Sequence, residues 1–208
     1  MTLHDMRKTI SLLICIAFLS AALSAYPQHE RNPAEIAAIE AYIHETDRYA
    51  ESNAKAARIF ANVASGYKKG PDQWREFKSE GDRQKADRGG NLNENAIVWL
   101  NSGKVVLASF MFQSPSRDWA HYVTYYYRPD GTVAKIHSQL NTFYGHMSVI
   151  RESFYNASGE LLESSTQYLD LKTHEKIEKP REDFIDELIP MYRRSQNLPF
   201  IALLQGAT

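Results

Sequence analysis

Val98-Trp99-Leu100-Asn101-Ser102-Gly103-Lys104-Val105-Val106, Tyr126-Tyr127-Arg128-Pro129-Asp130-Gly131-Thr132-Val133-Ala134 and Phe154-Tyr155-Asn156-Ala157-Ser158-Gly159-Glu160-Leu161-Leu162 share one pattern. Each carries polar or Pro residues that begin a tight turn, then a glycine for its left-handed position, between runs of strand-forming residues. Gly103, Gly131 and Gly159 stand 28 residues apart (131 − 103 and 159 − 131). An aromatic residue lies four before each glycine (Trp99, Tyr127, Tyr155) and an aliphatic two after it (Val105, Val133, Leu161). Paired across the hairpin, each couple is worth roughly 0.2–1 kcal/mol. Three such hairpins in succession predict an antiparallel meander of about six strands, near 96–101, 104–112, 119–128, 132–143, 147–156 and 160–170.

Upstream, Asn32-Pro33-Ala34-Glu35 opens a helix with a cap, a first-position proline and an acid that can reach back. Ile36, Ile39, Ile43, Thr46, Ala50, Asn53, Ala57, Phe60 and Ala64 recur at three- and four-residue steps, which predicts a helix over 32–66. The stripe weakens between Thr46 and Asn53, the place for a bend or a break. Residues 67–95 read as a polar connector, with a short helix near Asp72 to Lys78 anchored by Trp74 and Phe77. Downstream, 180–208 read as a helix with Phe184, Ile185, Leu188, Ile189 and Tyr192 on its apolar face, ended or kinked at Pro190. The segment Leu198 to Leu204 is too apolar for a free tail and is expected to dock on the sheet or on a partner. The fold class expected is therefore α+β: a long N-terminal helix, the meander over 96–170 and a C-terminal helix, in a single domain over 26–208.

The N-terminus is expected to be a cleavable signal peptide over 1–25. Arg7 and Lys8 precede an apolar run from Ile10 to Leu23, and Ala22 and Ala25 mark a small-residue cut before Tyr26-Pro27. The run of about 14 residues is short of the roughly 20 that a membrane span needs. Cleavage would remove Cys15, the single cysteine, and leave no thiolate, disulfide or cysteine-ligated metal. An exported protein without disulfides points to a bacterial periplasm more than to an animal extracellular space. Of 24 Lys and Arg and 25 Asp and Glu, the segment 1–25 holds Arg7, Lys8 and Asp5, so 22 basic and 24 acidic residues follow it. That balance offers no drive toward nucleic acid or an anionic membrane, and no stable membrane insertion is expected after cleavage.

The chain lacks G-x-S-x-G, a phosphate-cradling glycine loop and H-E-x-x-H. Strict alternation in the second hairpin places Trp119, His121, Val123, Tyr125 and Tyr127 on one face. On the return strand it places Val133, Lys135, His137, Gln139 and Asn141 with them. Arg151, Ser153 and Glu163 extend that face further along the meander. The candidate ligand-binding set is therefore Trp119, His121, Tyr125, Tyr127, Lys135, His137, Arg151 and Glu163, with no cofactor or metal. Asn156-Ala157-Ser158 matches a glycosylation acceptor, but its place in a turn already accounts for it. The leading expectation is an exported, non-enzymatic binding module that takes an unknown protein or small-molecule ligand on this face. Two alternatives are a small hydrolase using His121, His137 and Glu163, and a carrier of an apolar ligand held between sheet and helix.

Overall fold

The computed structural model describes residues 33–64, 72–88, 90, 92–180 and 191–206. They build one antiparallel sheet of eight strands: β1 Arg58–Asn62, β2 Trp74–Phe77, β3 Glu94–Asn101, β4 Lys104–Gln113, β5 Trp119–Tyr127, β6 Val133–Thr142, β7 Met147–Tyr155 and β8 Leu161–Asp170. Their order across the sheet is β2-β1-β3-β4-β5-β6-β7-β8. Helices are few beside it among the described residues, so the fold is mostly β. Strands β3 to β8 are the expected meander. β1 and β2 are additional, and they correct both the long helix and the connector.

Helix α1, Pro33–Ser52, stops near the point where the apolar stripe weakens. Asn53 donates its side-chain amide to the Tyr49 carbonyl at 2.8 Å, and a 3-10 turn at Ala54–Ala56 leads into β1. The residues taken for the end of the helix form a strand buried on both faces, with Phe60 and Ala61 at 0% exposure. A doubly buried strand has no polar alternation, so an apolar pair near a helical stripe imitates the helical period. The helix expected at Asp72 to Lys78 is likewise strand β2. Helix α2, Glu80–Ala86, follows it, capped where Ser79 Oγ accepts from the Asp82 amide at 3.1 Å.

The three glycines take the left-handed backbone that the pattern requires, with φ of 77°, 82° and 86°. Tyr127 pairs with Val133 and Tyr155 with Leu161, as expected. The first hairpin differs. Its two-residue turn, Ser102-Gly103, has both φ positive, and Leu100 rather than Trp99 faces Val105. In all three hairpins the return strand then skips one residue, three positions after the glycine: Val106, Ala134 and Leu162. Each skipped residue packs in an apolar cluster beneath α1.

Helix α1 lies on that face of the sheet at the turn end. Ile39 and Ile43 meet Ala134 and Phe154, and Ala50 meets Val106 and Leu107. Tyr42 and Tyr49 donate their hydroxyls to the carbonyls of Tyr127 and Leu100. The opposite face is covered by the C-terminal segment. Leu198 and Phe200 are buried there with Phe60, Phe110, Tyr125 and Tyr127, and Tyr192 packs alongside. The Val133 amide donates to the Arg193 carbonyl at 3.0 Å, and the Ser195 amide to the Gly131 carbonyl at 2.9 Å. Helix α3, Ile201–Gln205, closes the segment. The apolar tail therefore docks on the sheet. Phe184, Ile185, Leu188, Ile189 and Pro190 lie outside the described residues, as does the expected signal segment 1–25. Tyr192, assigned to a helical face, reaches the core from an irregular stretch instead. No helix among the described residues is long and apolar enough to cross a membrane.

The docked tail makes two equivalent glycines unequal. A Cβ on Gly103 meets nothing within 4 Å, whereas a Cβ on Gly131 would stand 2.7 Å from Ser195 Oγ. Gly103→Ala should cost about 1–2 kcal/mol, the left-handed penalty alone. Gly131→Ala should cost measurably more in urea unfolding, and Ser195→Ala should abolish the excess. Equal costs at both glycines would show that Ser195 does not press on this turn.

Candidate functional site

The skipped Ala134 decides where the candidate residues go. Up to Val133 the return strand shares a face with Tyr127. Beyond the skip, Lys135 lies beside Tyr126 and His137 beside Thr124. Strict alternation counted from the turn is thus wrong by one residue, and a one-residue slip moves every following side chain to the other face. Trp119, His121, Tyr125, Tyr127 and Arg151 occupy the tail-covered face. Lys135, His137 and Glu163 occupy the helix-covered face with Glu152 and Phe154. The single face that was to unite all eight does not exist.

On the helix-covered face, Lys135 Nζ is 2.7 Å and His137 Nδ1 3.5 Å from the same oxygen of Glu152. Lys135 also sits over the Phe154 ring, 4.9 Å from its centroid. The bond from Lys135 holds the Glu152 carboxyl below its ordinary range. This is a partly exposed ion-pair cluster, a kind worth little by itself. The intended hydrolase trio of His121, His137 and Glu163 is split across the sheet. Among the described residues no three His, Cys, Asp or Glu gather closely enough to hold a metal ion.

On the tail-covered face the aromatics are structural. Tyr125 and Tyr127 are 0% exposed. Tyr127 donates to the Tyr192 carbonyl at 2.9 Å, and burial raises both phenols far above their ordinary value. Trp119 packs against Leu140, Met147 and Val149. Substituting Tyr125 would therefore disturb the core rather than report on a ligand.

Further along the same face the side chains shorten and become polar. A cavity of about 490 Å³ opens over β6, β7 and β8 beside the start of the tail segment. Ser138, Arg151, Ser153, Ser164 and Thr166 supply its polar floor. The hydroxyls of Ser153 and Ser164 share a hydrogen bond at 3.1 Å, and Arg151 Nε donates to Thr166 Oγ1 at 3.3 Å. Ile136, Leu161 and Met191 give apolar walls. Arg193 stands at the side, its guanidinium 5.6 Å from the Tyr155 ring centroid. Arg151 alone of the eight candidates lines the cavity. Ser138, Ser164, Thr166 and Arg193 were not anticipated. The run Ser164-Ser165-Thr166 was a usable signal, since small hydroxyl residues replace the aromatics of the earlier hairpins there.

His121 lies beside this floor, on the same face of the sheet. It is 1% exposed, and its Nε2 is 2.7 Å from Ser138 Oγ. Its Nδ1 is buried with no hydrogen-bond partner among the described residues. Burial, and secondly the charge of Arg151, push the imidazole down to about 4. The pair has the contact distance of a nucleophile and its base, but not the chemistry. An imidazole that titrates near 4 is a weak base, and no carboxylate among the described residues orients its far nitrogen.

A smaller cleft of about 330 Å³ lies between α1 and the second and third turns, with Ala38, Ile39, Tyr42 and Ala157 on its walls. It is the place where an apolar ligand between sheet and helix would sit. Compared with known proteins, the chain matches no family model, no curated protein and no solved structure.

Proposed function

We propose that this protein is an exported, non-catalytic binding module that seats a small molecule in the cavity over β6 to β8. The observation that carries the reading is the cavity itself. Its volume lies within the usual range for small-molecule sites, roughly 300–1,000 Å³. It combines a few oriented polar groups with apolar walls, and it rests on a rigid sheet rather than on loops. The unactivated Ser138–His121 pair argues against catalysis at the same place.

Ser164 is exposed, lines the cavity and stands near the sheet edge, so its side chain can be enlarged at little cost to folding. Protein purified from its own host should release a bound small molecule under denaturing mass spectrometry. Ser164→Trp should carry none, while its unfolding free energy stays within about 0.5 kcal/mol of the parent. A full complement of the same molecule in the tryptophan variant would move the site elsewhere, the cleft beneath α1 being the next place to test. Export is tested separately. The secreted chain should begin at Tyr26, and a chain retaining residues 1–25 in the cytoplasm would overturn it.

A further inference from the structure

We propose that the molecule seated in this cavity is apolar and carries a carbonyl oxygen. That oxygen accepts a hydrogen bond from Ser138, whose hydroxyl proton is turned into the cavity by the buried imidazole of His121. This rests on the ligand-binding reading above and adds what the ligand must carry.

His121, uncharged, has one proton to place on either of two ring nitrogens. Its Nε2 lies 2.7 Å from Ser138 Oγ. Its Nδ1 is buried with no hydrogen-bond partner among the described residues. The cross-strand neighbours of His121 on this face, Phe112 on β4 and Leu140 on β6, are buried and apolar. A proton on Nδ1 would be a buried donor without an acceptor, an orphan that folded proteins avoid more strictly than a bare acceptor. The proton therefore belongs on Nε2, which donates it to Ser138 Oγ. The hydroxyl is then an acceptor toward His121 and has its own proton to give elsewhere. Ser138 makes no other side-chain hydrogen bond among the described residues, is 4% exposed and lines the cavity. The cavity is the direction left to that proton.

The rest of the floor is built the same way. Thr166 Oγ1 accepts from Arg151 Nε at 3.3 Å, and the hydroxyls of Ser153 and Ser164 share one bond at 3.1 Å. A hydroxyl that accepts keeps a proton to give. Thr166 and one of the two serines are therefore donors as well, and the described lining holds no carboxylate or amide oxygen to receive them. Thr166 and Ser164 are exposed, so water can serve them. Ser138 is buried, so it discriminates between the molecules that can enter. Ile136 and Leu161 wall the same space. An apolar body with one acceptor oxygen satisfies both parts of the lining. A hydrocarbon of the same shape would leave the Ser138 proton desolvated and unpaired, which disfavours it.

Long-range proton–nitrogen NMR of the purified protein near neutral pH should show the His121 proton on Nε2 and Nδ1 bare. The signals of His121 are those that disappear in the double variant His121→Leu, Ser138→Ala. A proton on Nδ1 overturns the inference whatever binds. Binding is read by fluorine NMR with two matched probes, para-fluoroacetophenone and para-fluoro-α-methylstyrene, in which a methylene group replaces the carbonyl oxygen. The ratio of ketone to alkene affinity should fall about fivefold or more from the parent to Ser138→Ala, the size of one neutral hydrogen bond. Should Ser138→Ala fail to fold, the double variant, which leaves no orphaned donor, takes its place in the comparison. If both probes bind, Ser164→Trp excludes both and the ratio is the same in parent and variant, the cavity reading stands and the carbonyl inference falls. If neither probe binds the parent at millimolar concentration, or Ser164→Trp leaves binding intact, both fall together.

Discussion

Phe200→Ala should lower the unfolding free energy by about 3–5 kcal/mol, the range for a fully buried phenylalanine. Phe200 is 1% exposed, although it sits only eight residues from the C-terminus. Its ring stacks on Phe60 with centroids 4.3 Å apart and planes 6° from parallel. Trp74 meets it edge-on at 5.2 Å and Phe110 lies 5.6 Å away. These partners come from β1, β2 and β4, so one side chain joins the early strands to the meander. Its removal leaves a cavity among rings that the sheet backbone holds apart, and such sites collapse poorly. The neighbouring Leu203, 39% exposed, is the control, and its alanine variant should cost no more than about 0.5 kcal/mol. Urea unfolding followed by tryptophan fluorescence measures both, with Trp74 as a reporter beside the site. A loss below about 1 kcal/mol for Phe200→Ala would mean that the tail is ornamental to the fold. The same variant should also loosen the proposed cavity, because the segment that Phe200 pins carries Met191 and Arg193 of its lining.

The docking of that tail was legible because Leu198-Pro199-Phe200-Ile201 is too apolar to face water. The strands from β3 to β8 were legible for a related reason: alternation and the turn glycines point to the same boundaries. What alternation could not reveal is the skipped residue after each turn. Val106, Ala134 and Leu162 are ordinary strand formers, and the skip is a choice of backbone hydrogen bonding that leaves no mark on composition. Missing it sends Lys135 and His137 to the wrong face, and the candidate site dissolves with them. Strand β1 was hidden differently. Burial on both faces removes the polar alternation that marks a strand, and Phe60 then fits a helical stripe equally well. The cavity was unreadable because one of its sides is the tail, whose position over β6 to β8 depends on contacts far apart in sequence. Arg151 was reached by counting along β7, where no skip intervenes between it and Ser153.

Stability should fall by about 3 kcal/mol as pH drops from 7 to 4, and His121 should be the main cause above pH 4.5. The imidazole titrates near its ordinary 6.5 in the unfolded chain and near 4 in the folded one. Between those values the unfolded state binds a proton that the folded state refuses. The unfolded state is therefore favoured as pH falls, by about 1.4 kcal/mol per pH unit across the window. Little is lost above about 7.5, where both states are neutral at this residue. The refusal has a structural cause: the ring is 1% exposed, Nδ1 has no partner among the described residues and the charge of Arg151 opposes a second cation. Carboxylates act in a different range. Glu152, held down by Lys135, and Asp130, held down by Thr132, stabilise the fold above their ordinary values of 4.5 and 3.8, and their contributions are lost as pH falls below those. The two effects separate cleanly between pH 6.5 and 4.5. His121→Leu combined with Ser138→Ala removes both members of the buried pair, a change that can be nearly neutral at pH 7 because no orphaned donor is left. Urea unfolding of this double variant should be flat between pH 7 and 4.5, while the parent declines by roughly 1.4 kcal/mol per unit below 6.5. A parent that is equally stable at both pH values, or a double variant that declines as steeply, would show that His121 takes up its proton without unfolding the sheet around it.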